Sequence, residues 1–178
     1  MILYAAYRDQ PSDISEHLQY MRDLCVELDA KVVVELGVRG GVSTAAFLDA
    51  MEHTGGMVWS CDIAPPQVHD VIAEHGQWEF MWGDDLELAD EAPECDVLLI
   101  DTSHHYEHTV AELAAYAPKV RRVILLHDTQ LERPAGAPVE PRFPVRQAAL
   151  EFHTGNPGWD WYEFEHNNGL GVLTRRNI

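Results

Sequence analysis

Positive charge is scarce in this chain of 178 residues: 12 Lys and Arg stand against 30 Asp and Glu, a formal net charge of −18. So acidic a surface repels phosphate backbones and anionic lipid. The only tight basic pairs, Arg121–Arg122 and Arg175–Arg176, are too small to build a nucleic-acid face. Neither a nucleic acid nor a membrane is expected as a partner, and the acidity serves solubility. Long apolar runs are lacking as well, none approaching the ~20 residues of a membrane span. Cysteine is sparse and odd in number: Cys25, Cys61 and Cys95 lie far apart, which excludes a disulfide framework and suits a reducing compartment. The opening "MILYAAYRDQPSD" has no basic stretch leading into an apolar core, so it does not read as a signal peptide, and a cytoplasmic protein is expected.

Two nucleotide signatures are also missing. The run "VVVELGVRGGVSTAAF", residues 32–47, passes from β-branched residues through glycines into a helix-compatible stretch, as nucleotide-binding α/β proteins do. A P-loop would need a lysine after the glycines, where this chain has "VSTAAF". A dinucleotide fingerprint would need glycine two residues after Gly37, where this chain has Arg39, and a side chain there bars the close approach of a pyrophosphate.

What is present is a strand–helix alternation. Buried strands are expected at "KVVVELG", "MVWSCDI", "WEFMWGD", "DVLLID" and "RRVILLHD". Helices are expected over Ile14–Leu28, Ser43–His53, Gln67–His75, Tyr106–Tyr116 and Val145–Phe152, with a short helix or loop around Leu86–Glu91. The chain closes on "WDWYEFE" and "LGVLT" around Asn167–Asn168–Gly169, an antiparallel hairpin. Alternation of this kind implies one α/β domain, a mainly parallel sheet with helices on both faces. Residues 131–144, rich in proline and glycine, are expected to form a loop bordering the crevice at the strand ends, a candidate lid or specificity loop.

The pattern Glu-x-Gly-x-x-x-Gly-x-Ser from Glu35 to Ser43 resembles motif I of the class I methyltransferases that use S-adenosylmethionine. The likeness continues in order: Asp62 ends the second strand in "WSCDI", and "WGDDLE" ends the third. The resemblance implies a Rossmann-like fold with a seven-stranded sheet whose last strand is antiparallel. It also implies a cofactor site in which Glu35, Gly37, Gly41 and Ser43 shape the methionine end, Asp62 and Ile63 border the ribose, and Asp84 and Asp85 face adenine.

At the ends of the fourth and fifth strands, "LLIDTSHHYEHTVAEL" and "VILLHDT" carry Asp101, His104, His105, His127 and Asp128 toward one crevice. This spacing resembles the branch containing metal-dependent sugar O-methyltransferases and cephalosporin hydroxylase-like proteins. That resemblance implies a divalent cation on Asp101, His127 and Asp128, Asp101 also bordering the cofactor, and His104 as the base that deprotonates a hydroxyl of a small-molecule acceptor. His127 stands where the metal-binding members place a carboxylate. Imidazole suits Mn²⁺ and softer ions better than Mg²⁺, so Mg²⁺, a softer ion such as Mn²⁺ and no metal all stay open here. His105 and His108 read as hydrogen-bonded scaffold or solvent-facing, Tyr106 as packing under the loop, and the tryptophans as core or sheet surface.

The expected activity is therefore methyl transfer from S-adenosylmethionine to a hydroxyl. The alternative is a non-catalytic S-adenosylmethionine or S-adenosylhomocysteine binder acting with a partner, since residues 1–30 provide little cover for a substrate and leave room for a homo-oligomer. A non-haem iron oxygenase would use the same Asp and His residues but leaves the glycine motif unexplained.

Overall fold

The computed structural model describes residues 2–133 and 141–176. Seven strands form one sheet: β1 (Val32–Leu36), β2 (Met57–Asp62), β3 (Trp78–Trp82), β4 (Cys95–Ile100), β5 (Val120–His127), β6 (Trp159–Phe164) and β7 (Leu170–Arg175), ordered β3-β2-β1-β4-β5-β7-β6. The first five pair in parallel, and β7 runs antiparallel to both β5 and β6. This is the Rossmann-like, mainly parallel arrangement expected, closed by a C-terminal antiparallel hairpin.

Alternation along the strands divides the core. Val33, Val58, Val97, Leu99 and Val123 pack against helices α1 (Ile2–Arg8), α2 (Leu18–Glu27) and α3 (Val42–Thr54). Val34, Leu36, Leu98, Ile100 and Ile124 face the other way, onto α5 (Tyr106–Tyr116) and α6 (Pro144–Gly155). β4 is buried at every position, as a central strand covered on both faces must be.

Three local expectations are corrected. A short helix, α1, precedes the expected start of regular structure and buries Tyr4. The segment read as one helix over Ile14–Leu28 begins with a separate 3-10 turn at Ser15–His17 before α2. There His17 keeps right-handed helical dihedrals and places its Nε2 3.1 Å and 3.2 Å from the carbonyls of His166 and Asn167 in the hairpin turn. The helix expected over Gln67–His75 shrinks to α4 (Asp70–Ala73), which buries only Ile72 and therefore has little packing to extend it. Residues 86–91, expected as a short helix or a loop, form turns. Of the expected lid, residues 134–140 lie outside the described residues.

The chain steps outward from β1 to β2 and β3, then returns to lay β4 on the opposite side of β1. Neighbouring loops diverge at that reversal, and a crevice opens beyond the carboxyl ends of β1 and β4. Gly37, just after β1, makes the crevice possible: its φ is +90°, and a Cβ there would lie 2.0 Å from the carbonyl oxygen of Asp101. Only glycine permits that approach. Gly41, φ +75°, plays the corresponding part at the start of α3, where a Cβ would meet Val68 and Ile72 at 2.8 Å.

Candidate active site

On the β1–β2–β3 side of the reversal lies a cavity of about 290 Å³, lined by Gly37, Arg39, Cys61, Asp62, Ile63, Gly83, Asp84, Asp85, Asp101, Thr102, Ser103 and His108. A smaller one of about 110 Å³ adjoins it through Gly37, Arg39 and Asp101 and reaches Ser43 and Asp13. Six of the expected cofactor residues, Gly37, Asp62, Ile63, Asp84, Asp85 and Asp101, thus share one wall, and Ser43 borders the annex.

Asp62 anchors this wall. Its Oδ2 accepts from the backbone N–H of Val38 (2.9 Å) and Arg39 (3.1 Å), and its Oδ1 from Ala64 (2.9 Å). One carboxylate thereby holds the glycine loop and the loop after β2 together, with acceptor capacity to spare. Asp84 closes its own turn by accepting from Leu86 N–H at 2.9 Å. Trp82 donates from Nε1 to the carbonyl of Ile63 (3.1 Å), and both side chains are exposed beside the cavity.

Glu35 and Gly41 line neither cavity. The Glu35 carboxylate is wholly buried beneath the glycine loop and accepts from Ser43 (2.6 Å), Thr44 (2.8 Å) and Ser60 (2.5 Å). It ties β1, β2 and α3 from inside. Burial pushes its pKa up to about 7, against the pull of the three hydroxyls.

Across the reversal, at the ends of β4 and β5, four side chains converge. His104 Nε2 lies 3.3 Å from Asp101 Oδ1 and 2.9 Å from Asp128 Oδ2. His127 Nδ1 lies 3.2 Å from Asp101 Oδ1 and 3.5 Å from Asp128 Oδ2. The backbone is forced to bring them there: His104 and Asp128 both adopt left-handed φ, 58° and 61°. Each such residue costs on the order of 1–3 kcal/mol, and strain of this kind gathers at functional sites.

The donor set suits a divalent cation. Cation–ligand distances of ~2.0–2.2 Å require neighbouring donors roughly 3–3.5 Å apart, and the four separations here span 2.9–3.5 Å. His127 Nε2 lies 2.9 Å from the carbonyl of Asp13, an acceptor only, so Nε2 carries the hydrogen. Its Nδ1 then faces two carboxylates and requires a proton or a cation between them. Asp128 Oδ1 is buried without a partner. Burial pulls the pKa of His104 down, but hydrogen bonds to Asp101 and Asp128 outweigh it and push the value up to about 10. Burial likewise opposes ionisation of Asp101, and its two histidine partners hold its pKa far below the carboxylate range.

His108, read from sequence as scaffold or solvent-facing, belongs to the cavity wall. Its Nε2 lies 3.0 Å from Asp85 Oδ1 and 3.6 Å from Glu112 Oε1. The signal was present in the sequence as a His-x-x-x-Glu spacing on one helix face. Tyr106 bridges helices by donating to Glu151. A larger cavity of about 520 Å³ lies between α5 and α6 at the opposite end of the sheet, where Ala117 and Pro118 precede β5 and Arg175 ends β7.

A mainly parallel seven-stranded sheet, a glycine turn and an acidic residue at the end of β2 define a class I S-adenosylmethionine-dependent methyltransferase. Residues 34–129 match the family described as Methyltransferase domain, and the chain belongs to it. Comparison with curated proteins finds no match. Among solved structures, an O-methyltransferase from Bacillus cereus in complex with SAH is similar at 16% identity and a TM-score of 0.76, covering 98% of this chain and 87% of that one. The cofactor-bound Rv0187 from MTB is 20% identical with a TM-score of 0.73, covering 99% and 89%. MycE from the mycinamycin biosynthetic pathway, in complex with Mg, SAH and mycinamycin VI, is 15% identical with a TM-score of 0.68. That match covers 91% of this chain and 48% of MycE, so the chain spans about half of MycE's length. Among the described residues no helix is long and apolar enough to cross a membrane.

Proposed function

We propose that the protein methylates a hydroxyl of a small-molecule acceptor, with S-adenosylmethionine in the 290 Å³ cavity and a divalent cation at the Asp101 cluster. The observation that carries this reading is the convergence of Asp101, His104, His127 and Asp128 immediately beside that cavity, Asp101 belonging to both. In the proposed arrangement Gly37 admits the methionine portion, Asp62 accepts from the ribose hydroxyls, and Asp84 and Asp85 face the adenine edge. Asp101, His127 and Asp128 hold the cation. The His127 imidazole among the donors favours Mn²⁺, Fe²⁺, Co²⁺, Ni²⁺ or Zn²⁺ over Mg²⁺.

When bound, the cofactor supplies an activated sulfonium methyl, and the cation lowers the pKa of the acceptor hydroxyl and orients it. The chain's own part is positioning and proton removal. Asp101 joins the cofactor wall to the acceptor side, so that oxygen and methyl are held in line. His104 takes the hydroxyl proton at Nε2 once cationic charge offsets Asp101 and Asp128; paired with those bare carboxylates it stays protonated at neutral pH. The backbone around Asp13 and Ile14 roofs the smaller cavity, and Arg39 holds the roof by pairing with Asp13 at 3.0 Å.

The test is turnover. Metal-stripped protein, S-adenosylmethionine and a panel of vicinal diols and sugars should release S-adenosylhomocysteine only when Mn²⁺ or a similar ion is added. Tight S-adenosylhomocysteine binding without turnover on any acceptor, under any ion, would instead make the protein a cofactor binder.

A further inference from the structure

We propose that Asp85, His108 and Glu112 form a second divalent-metal site, separate from the Asp101 cluster and independent of whether the protein methylates anything. Two elements build it. The loop after β3 supplies Asp85, and α5 supplies His108 and Glu112, one helical turn apart and so on one face. One ligand atom from each lies within 4.8 Å of the others. His108 Nε2 stands 3.0 Å from Asp85 Oδ1 and 3.6 Å from Glu112 Oε1, close to the separations that ~2.0–2.2 Å metal–ligand bonds produce.

The buried charge points the same way. Glu112 is fully buried and Asp85 more than nine-tenths so, yet Glu112 Oε2 and Asp85 Oδ2 have no hydrogen-bond partner. Among the described residues neither carboxylate pairs with Lys or Arg; the imidazole of His108 is their shared partner. Two carboxylates with idle buried oxygens are costly unless something positive joins them. A cation between them would take up the idle oxygens.

The surroundings already hold the ligands in place, as outer hydrogen bonds do around metal ligands. Thr102 donates to Glu112 Oε1 at 2.6 Å, and Tyr116 donates to the backbone carbonyl of Asp85 at 2.5 Å. His108 and Asp85 both line the 290 Å³ cavity, which provides an access path; with the ion in place Asp85 serves as a metal ligand and Asp84 alone faces the adenine edge. One imidazole with two carboxylates suits Zn²⁺, Mn²⁺ or Fe²⁺ and not Ca²⁺ or Mg²⁺, which favour all-oxygen shells. Such an ion would clamp the Gly83–Asp85 loop to α5 and stiffen that wall.

The experiment counts bound metal on the full chain, stripped with chelator and then dialysed against Mn²⁺ or Zn²⁺. Glu112→Gln and His108→Asn should each lose one equivalent relative to the unsubstituted protein, and Asp128→Asn should retain that equivalent. A Glu112→Gln protein that binds as much metal as the unsubstituted chain overturns the proposal. Should those variants not fold, anomalous scattering from Zn²⁺-soaked crystals of the unsubstituted protein decides it: a peak among Asp85, His108 and Glu112 supports the site, and no peak there rejects it. Failure here leaves the Asp101 cluster untouched, since the loss of metal in Asp128→Asn is read separately.

Discussion

The two sides of the crevice are built on different principles. On the β1–β2–β3 side the wall is largely backbone, pinned from beneath by carboxylates whose own hydrogen bonds are made: Asp62 on three amides, Glu35 on three hydroxyls. It encloses space. On the β4–β5 side the wall is side chain against side chain, Asp101 and Asp128 against His104 and His127, on a backbone strained at two positions. It meets the cavities only at their edge, through Asp101, and it keeps an unpartnered buried oxygen on Asp128. The difference teaches that the glycine-loop part of the first side is preformed for a ligand, whereas the second gathers carboxylates and imidazoles around an unpaired oxygen that a cation and an acceptor would use. Substitutions on the two sides should therefore fail differently.

The largest effect is expected at the seam. Gly37→Ala places a Cβ 2.0 Å from the Asp101 carbonyl at a φ of +90°, so β1 and β4 must part at the crevice. Overpacking and backbone strain together cost about 2–6 kcal/mol. Denaturant titration should show that loss, and calorimetry should find S-adenosylhomocysteine binding abolished. Normal binding in this variant would mean the crevice is not where the ligand goes.

On the strained side, His104→Asn keeps a residue type that tolerates left-handed φ while deleting the imidazole. kcat should fall roughly 10²–10⁴-fold, the range for a lost general base, while S-adenosylhomocysteine affinity changes little. If affinity falls and kcat holds, His104 belongs to the binding side and the contrast between the two walls collapses.

Much of the first wall was legible in the sequence because its residues follow strands in register. A β-branched run ending in Glu35 and Gly37, and carboxylates closing β2 and β3, need only the rule that side chains at parallel strand ends meet. The second wall was legible in identity but not in state. Nothing local in "IDTSHH" or "LHDT" indicates that His104 and Asp128 turn left-handed, or that His127 spends Nε2 on Asp13, 114 residues away in sequence. Glu35 shows the limit from the other side. Its motif position suggested contact with the cofactor, but whether a strand-end carboxylate points out or under depends on what lies beneath, and here Ser43, Thr44 and Ser60 supply three hydroxyls. His108 was missed because its partner Asp85 comes from another element, 23 residues earlier.

The buried staple of the first wall has its own signature in pH. The pKa of Glu35 in the folded protein, about 7, lies above its ordinary 4.5. The folded state therefore keeps a proton that the unfolded chain releases, and stability falls as pH rises from about 4.5 to about 7, levelling off above. The total loss is about 3 kcal/mol by linkage. Glu35→Gln cannot ionise and should lack this component, so the difference in unfolding free energy between variant and parent should move by about that much in the variant's favour from pH 4.5 to 8. An unchanged pH profile would mean the carboxylate stays ionised throughout.

The smallest effect concerns the strap that joins the walls from above. Residues 12–17 lie over the His127 side because Asn167, in the β6–β7 turn, accepts from Glu16 N–H at 3.0 Å and donates to the carbonyl of Ser12 at 2.8 Å. His127 then meets the strap at Asp13, and Arg39 of the glycine loop ties to it from the other wall. Asn167→Gly preserves the left-handed backbone, φ 46°, and removes both side-chain bonds, at a cost of about 1–2 kcal/mol. Global stability should drop by no more than that, but hydrogen exchange at Glu16 should quicken roughly 5- to 30-fold, matching the same free energy. KM for the acceptor should rise, because the strap roofs the space beside Asp101, while S-adenosylhomocysteine affinity holds. Equal weakening of acceptor and cofactor would show that the strap serves both walls alike, and that the division between them ends below it.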